Sequence, residues 1–102
     1  MTADDFRRIA LSMPGATENA HMNHPDFRIG TRIFATIGVP DETWAMVKLT
    51  PDQQEMLLHA EPGTFKPANG AWGRNGSTLV RLALIDEATA ESALGMASAN
   101  IK

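Results

Sequence analysis

A group of side chains between residues 28 and 81 has the chemistry to hold an anion and a flat apolar surface together. It comprises Arg28, Arg32, Phe34, Trp44, Lys48, Lys66, Trp72, Arg74 and Arg81. Arginine and lysine meet phosphate oxygens, while aromatic rings offer stacking platforms for bases. Strand alternation puts part of this group on one face, with Arg28, Arg32, Phe34, Thr36, Trp44, Met46, Lys48, Leu79 and Arg81 pointing one way. Ile33, Ala35, Ile37, Ala45, Val47, Leu49, Val80 and Leu82 point the other way, as a face packed under helices requires. The basic–aromatic face has three readings. It could bind DNA; it could contact a protein partner or a second copy, since Trp, Met and Arg are enriched at such contacts. It could also be a half-solvated surface on which long basic stems cover aromatic rings.

Other chemistry is thinner. His21-x-x-His24 with Glu18 has metal-ligand residue types, but an extended segment sends His21 and His24 to opposite faces, so no metal site is expected. His24 is assigned to the turn before Pro25. Gly70-x-x-Gly73-x-x-Gly76 has the spacing of a phosphate loop, yet such loops open a helix and here a strand follows. The glycines are read instead as shaping a broad hairpin loop, with Trp72 folded back as a lid and an anion nest as the alternative. There is no cysteine and no Gly-x-Ser-x-Gly elbow. Most carboxylates sit at helix starts and turns, where capping explains them; Glu18 and Asp26 are the exceptions. The expectation is a binding protein and not an enzyme, with no cofactor. A small-ligand protein remains open if a pocket lies beneath residues 66–76, walled by Trp72 and His24.

The elements that position these residues follow from caps, breakers and periodicity. Thr2 and Asp5 have capping-box spacing, and Phe6, Ile9, Ala10 and Met13 form one helical face over residues 3–12, stopped by Pro14-Gly15. Residues 17–23 could form a short edge strand. Residues 26–29 and 32–37 read as strands around a Gly30-Thr31 turn, and residues 44–49 as a third. Thr50-Pro51-Asp52 starts a helix to about Ala60 with Gln54, Leu57 and Leu58 inward. Phe65 opens a short strand, residues 77–83 form another, and Asp86 caps a last helix striped by Ala90, Leu94, Ala97 and Ile101. The fold class is α+β, an antiparallel sheet with helices mainly on one face.

The chain's 102 residues suit a single domain, 1–102. With 43% hydrophobic and 21% charged residues it reads as globular. The formal net charge of −3 denies it the global basic footprint of a nucleic-acid binder, so a DNA reading rests on local clustering. The lack of cysteine fits a cytoplasmic protein, and no apolar run approaches the roughly 20 residues that span a bilayer. The acidic start reads as a helix and not as a signal peptide.

The order of these pieces resembles the MmcQ/YjbR family of small bacterial proteins. The matching residues are Phe6 to Leu11 followed by Ser12-Met13-Pro14-Gly15 and Glu18, then His24-Pro25-Asp26-Phe27-Arg28 and Arg32-Ile33-Phe34-Ala35. Val47-Lys48-Leu49 before a Pro-capped helix continues the match, as do Phe65-x-Pro67-Ala68 and Trp72-Gly73-x-x-Gly76-x-Thr78-x-Val80. The resemblance spans nearly the whole chain. It implies a secretion-chaperone-like fold in the order α-β(3)-α-β(2)-α, and DNA binding without catalytic residues or cofactor. Ser77 departs from the resemblance, since the family frequently carries Trp there.

Overall fold

The computed structural model describes residues 1–101. The chain runs α1 (Ala3–Leu11), β1 (Ala16–His21), β2 (His24–Ile29), β3 (Arg32–Ile37), β4 (Trp44–Lys48), α2 (Pro51–Ala60), β5 (Phe65–Pro67), α3 (Gly70–Arg74), β6 (Ser77–Arg81) and α4 (Glu87–Ala99). The strands form one antiparallel sheet in the order β1-β2-β3-β4-β6-β5. This is the α+β architecture that the residue pattern implies, with a full edge strand at β1.

Local chemistry sets the helix starts. Thr2 Oγ1 accepts from the Asp5 amide at 3.0 Å while Asp5 Oδ2 accepts from the Thr2 amide at 3.1 Å, which closes a capping box. Thr50 and Gln53 repeat the arrangement at α2, and Asp86 caps α4 through the Thr89 amide. Phe6, Ile9 and Ala10 of α1 meet Ala90, Ala93, Leu94 and Ala97 of α4 over one face of the sheet. Leu57 of α2 joins the same core. Arg7 bridges α1 to the edge strand by donating to Glu18 at 3.0 Å, which accounts for that acid.

Strict alternation fails at one place. Phe27 pairs with Ala35, but the next pair is Arg28 with Ile33, so Phe34 is an extra residue in a β-bulge. The bulge turns Phe34 into the helix-side core, where it is 0% exposed beside Ala35. Ile33, expected under the helices, moves to the opposite, open face. Phe34 is thus not a stacking residue of that face.

The glycine-rich segment is also not a plain hairpin loop. It holds α3, and the fold needs glycine where this helix folds back. A Cβ on Gly73 would stand 1.9 Å from the Ala68 carbonyl oxygen, and one on Gly76 would stand 2.0 Å from that of Leu49. Gly76 also has φ +109°, a conformation open to glycine and strained for other residues.

Candidate ligand-binding site

The open face of the sheet is concave. Its floor is built by side chains that alternate outward from neighbouring strands: Ile33 and Thr36 of β3, Met46 and Lys48 of β4, and Ser77 and Leu79 of β6. Trp72 of α3 overhangs one side, and Val39 and Pro40 of the β3–β4 loop form the other. The half-open cavity measures about 450 Å³, and most of its lining is apolar. A second cavity of about 380 Å³ adjoins it, sharing Ile33, Lys48, Trp72 and Ser77 and reaching Arg32, Thr50 and Asn100. The volume lies within the roughly 300–1,000 Å³ range of small-molecule pockets.

Both walls have identifiable supports. The Gln54 side-chain amide, buried behind α3, donates to the carbonyl oxygens of Gly73 at 3.0 Å and Ser77 at 3.1 Å. It also lies 3.1 Å from Thr78 Oγ1. On the other side, Gly38 lies against the His24 ring; a Cβ there would come within 3.0 Å of His24 Nδ1. Asp41 Oδ1 accepts from the Thr43 amide at 2.8 Å and shapes the same loop.

The expected site residues divide into separate groups. Lys48 and Trp72 come together at the cavity, with Lys48 Nζ 5.8 Å from the ring centroid. Lys66 and Arg81 both lie over Trp44, at 5.5 and 4.3 Å, and Trp44 is only 8% exposed. That is the covered-aromatic arrangement and not an open stacking platform. Arg32 borders the second cavity. Arg74 is exposed on α3. Arg28 is committed elsewhere: its Nε donates to Asp26 Oδ1 at 2.7 Å and its second guanidinium nitrogen to Oδ2 at 3.0 Å.

Asp26 is the residue that pattern reading left unexplained. It is 0% exposed, yet it lies on the open face opposite Thr36. Besides Arg28, it holds His21, whose Nδ1 is 2.8 Å from Asp26 Oδ2. The Arg28 hydrogen bonds keep the Asp26 carboxyl below its usual range, outweighing its burial, and His21 acts in the same direction.

His21 lines the cavity, whereas His24, expected there, packs against Gly38. The two histidines lie directly across a tight hairpin whose turn residues Met22 and Asn23 have φ of +51° and +66°. Directly paired residues share a face, so the expectation of opposite faces does not hold. The missed signal was the alternation His24-x-Asp26-x-Arg28, polar on one face with Phe27 and Ile29 on the other. Among the described residues, no group of three or more acidic, histidine or cysteine side chains is placed to hold a metal ion. No helix among them is long and apolar enough to cross a membrane.

Comparison with known proteins agrees with this architecture. The YjbR family model matches residues 11–96. The chain belongs to the YjbR family. Among solved structures, the chain is similar to Deinococcus radiodurans protein DR2400, whose family-model domain is DUF419. The two share 20% identity at a TM-score of 0.74, over 91% of this chain and 72% of that one. At that identity the likeness speaks for the fold. No curated protein matches.

Proposed function

We propose that this YjbR-family chain is a small-ligand-binding protein whose ligand is a mainly apolar molecule bearing an anionic group. The observation that carries this reading is the apolar cavity on the open sheet face with Lys48 in its lining. An apolar floor supplies affinity by burial, and a few polar groups orient the ligand. The charge setting supports an anion. Among the described residues, Arg32, Lys48, Lys66, Arg74 and Arg81 have no carboxylate within salt-bridge distance, whereas Arg7, Arg8 and Arg28 do. Ser77 supports it as well. It borders both cavities where the family resemblance places a tryptophan, and its small side chain leaves the space open.

Those same partnerless cations favour a second reading, DNA binding across the face. That reading loses two of its three stacking rings, because Phe34 is in the core and Trp44 is covered, which leaves Trp72 alone exposed among them. Self-association through Phe34, Trp44 and Met46 loses the same surface, with Met46 left on the cavity floor. The test is a titration of ¹⁵N-labelled protein with 4-phenylbutyrate. Saturable shifts confined to β3, β4, β6 and α3 are expected. A titration that moves no resonance there overturns the ligand reading.

A further inference from the structure

Of the polar groups on the cavity wall, His21 is the one whose chemistry is dictated by a buried partner. Asp26 receives two hydrogen bonds from Arg28, at 2.7 and 3.0 Å, and is fully buried. A carboxylate held this way has only acceptor capacity left. The 2.8 Å contact to His21 Nδ1 therefore requires that Nδ1 carry the hydrogen. In the neutral ring, Nε2 is then a bare acceptor on a side chain that borders a mostly apolar cavity. No hydrogen bond to Nε2 forms among the described residues. At the cavity wall this acceptor is open to water, and a ligand that brings a donor can take the water's place there.

The second fixed point is Lys48. It belongs to β4 and His21 to β1, with β2 and β3 between them. Three inter-strand spacings amount to roughly 14 Å across the sheet, and the register sets Lys48 about four residues further along the strands, so the two groups meet opposite ends of an elongated ligand. We propose that His21, oriented by Asp26, is the hydrogen-bond acceptor of this cavity, and that its ligand carries a hydroxyl at the end remote from an anionic group held by Lys48. This deepens the ligand-binding reading above and rests on it. It names a ligand class, hydroxylated aryl or alkyl carboxylates and their like. It makes His21 a specificity-determining residue, with Asp26 and Arg28 as its positioning residues.

The experiment compares 4-phenylbutyrate with 4-(4-hydroxyphenyl)butyrate on the unaltered protein and on His21→Phe. The unaltered protein is expected to bind the hydroxylated probe about five- to tenfold more tightly, the increment of one net hydrogen bond. In His21→Phe the preference should vanish while 4-phenylbutyrate still binds. Equal affinities in the unaltered protein, or a preference that survives in His21→Phe, overturn the inference and leave the cavity reading standing. Failure of both probes to bind removes both readings. His21 is on an edge strand and 45% of its side chain is exposed, so its replacement opens no hole in the core. The unaltered protein supplies an independent check: long-range ¹⁵N spectra should show the His21 ring as the Nδ1–H tautomer, and an Nε2–H tautomer sinks the proposal whatever the variant does.

Discussion

The Gln54 side-chain amide donates to the Gly73 carbonyl oxygen at 3.0 Å, and this contact joins α2 to the short helix that overhangs the cavity. The donor is buried and reaches Ser77 and Thr78 as well. One side chain thus anchors both the end of α3 and the start of β6. Replacing Gln54 by Ala leaves the Gly73 carbonyl without this donor and opens a small void. We expect a loss of about 1–3 kcal/mol in urea denaturation. Hydrogen exchange should rise first at residues 70–76, because that segment has few other tethers.

Gly73 and Gly76 test the same segment from the backbone side. Alanine at either position drives a Cβ to about 2 Å from a carbonyl oxygen, which only backbone movement relieves. Each substitution should cost upwards of about 2 kcal/mol. Gly70→Ala makes the comparison, since nothing lies within 4 Å there, although its φ of +62° still imposes a smaller backbone strain. Thermal melts of the three variants should rank Gly70→Ala as the mildest.

Asp26 should make a measurable contribution to acid sensitivity. Its carboxyl titrates below the usual 3.8 in the folded protein, chiefly because of the Arg28 hydrogen bonds. A depressed folded value means stability that is fully present above the unfolded pKa and is lost as pH falls through the folded one. Asp5, Asp41 and Asp86 are shifted the same way by capping and turn hydrogen bonds, so they share the slope. The stability gap between the unaltered protein and Asp26→Asn should therefore be widest above pH 5 and narrow below about pH 4. Urea midpoints measured from pH 3 to 7 check this. A gap independent of pH would mean that Asp26 is not ionised in the fold.

Arg28→Ala should expose the worth of the ion pair. It removes two hydrogen bonds from a fully buried carboxylate and leaves His21 as its remaining side-chain hydrogen-bond partner. The loss should exceed that of breaking an exposed ion pair, because the carboxylate left behind is buried, and fall short of a fully buried pair, because Arg28 itself is partly exposed. Double substitution with Asp26→Asn should recover part of that loss in a thermodynamic cycle.

Ser77→Trp should close the cavity. The indole would occupy space now bordered by Ser77, Leu79 and Trp72, and 4-phenylbutyrate binding should fall at least tenfold while the melting temperature holds. Duplex DNA separates the alternatives. Electrostatic binding weakens steeply with salt. We expect no saturable DNA binding at low ionic strength; binding that Ser77→Trp leaves intact and salt abolishes would favour the DNA reading instead.

Much of the frame is written in short-range chemistry. Thr2 with Asp5, Thr50-Pro51 with Gln53, and Asp86 each start a helix through contacts three residues away, so a single sequence suffices to place them. The strands at 32–37 and 44–48 follow from alternation for the same reason. Phe34 shows where such reading ends. A bulge belongs to two strands at once, and counting along β3 alone could not reveal that Phe27 and Arg28 skip a residue opposite them. That one skip sends a ring from the candidate site into the core and brings Ile33 out to the cavity. The five-residue α3 is too short to show a period and is held by Gln54, nineteen positions from Gly73. Asp26 looked like an unexplained acid although Arg28 lies two residues along the same strand, and its other partner, His21, reaches it only once β1 and β2 have paired. Residue types and local spacing thus determined three of the four helices, most of the strands and the family; α3, the cavity and its oriented histidine arose from the tertiary structure, because each depends on contacts between elements that no local pattern records.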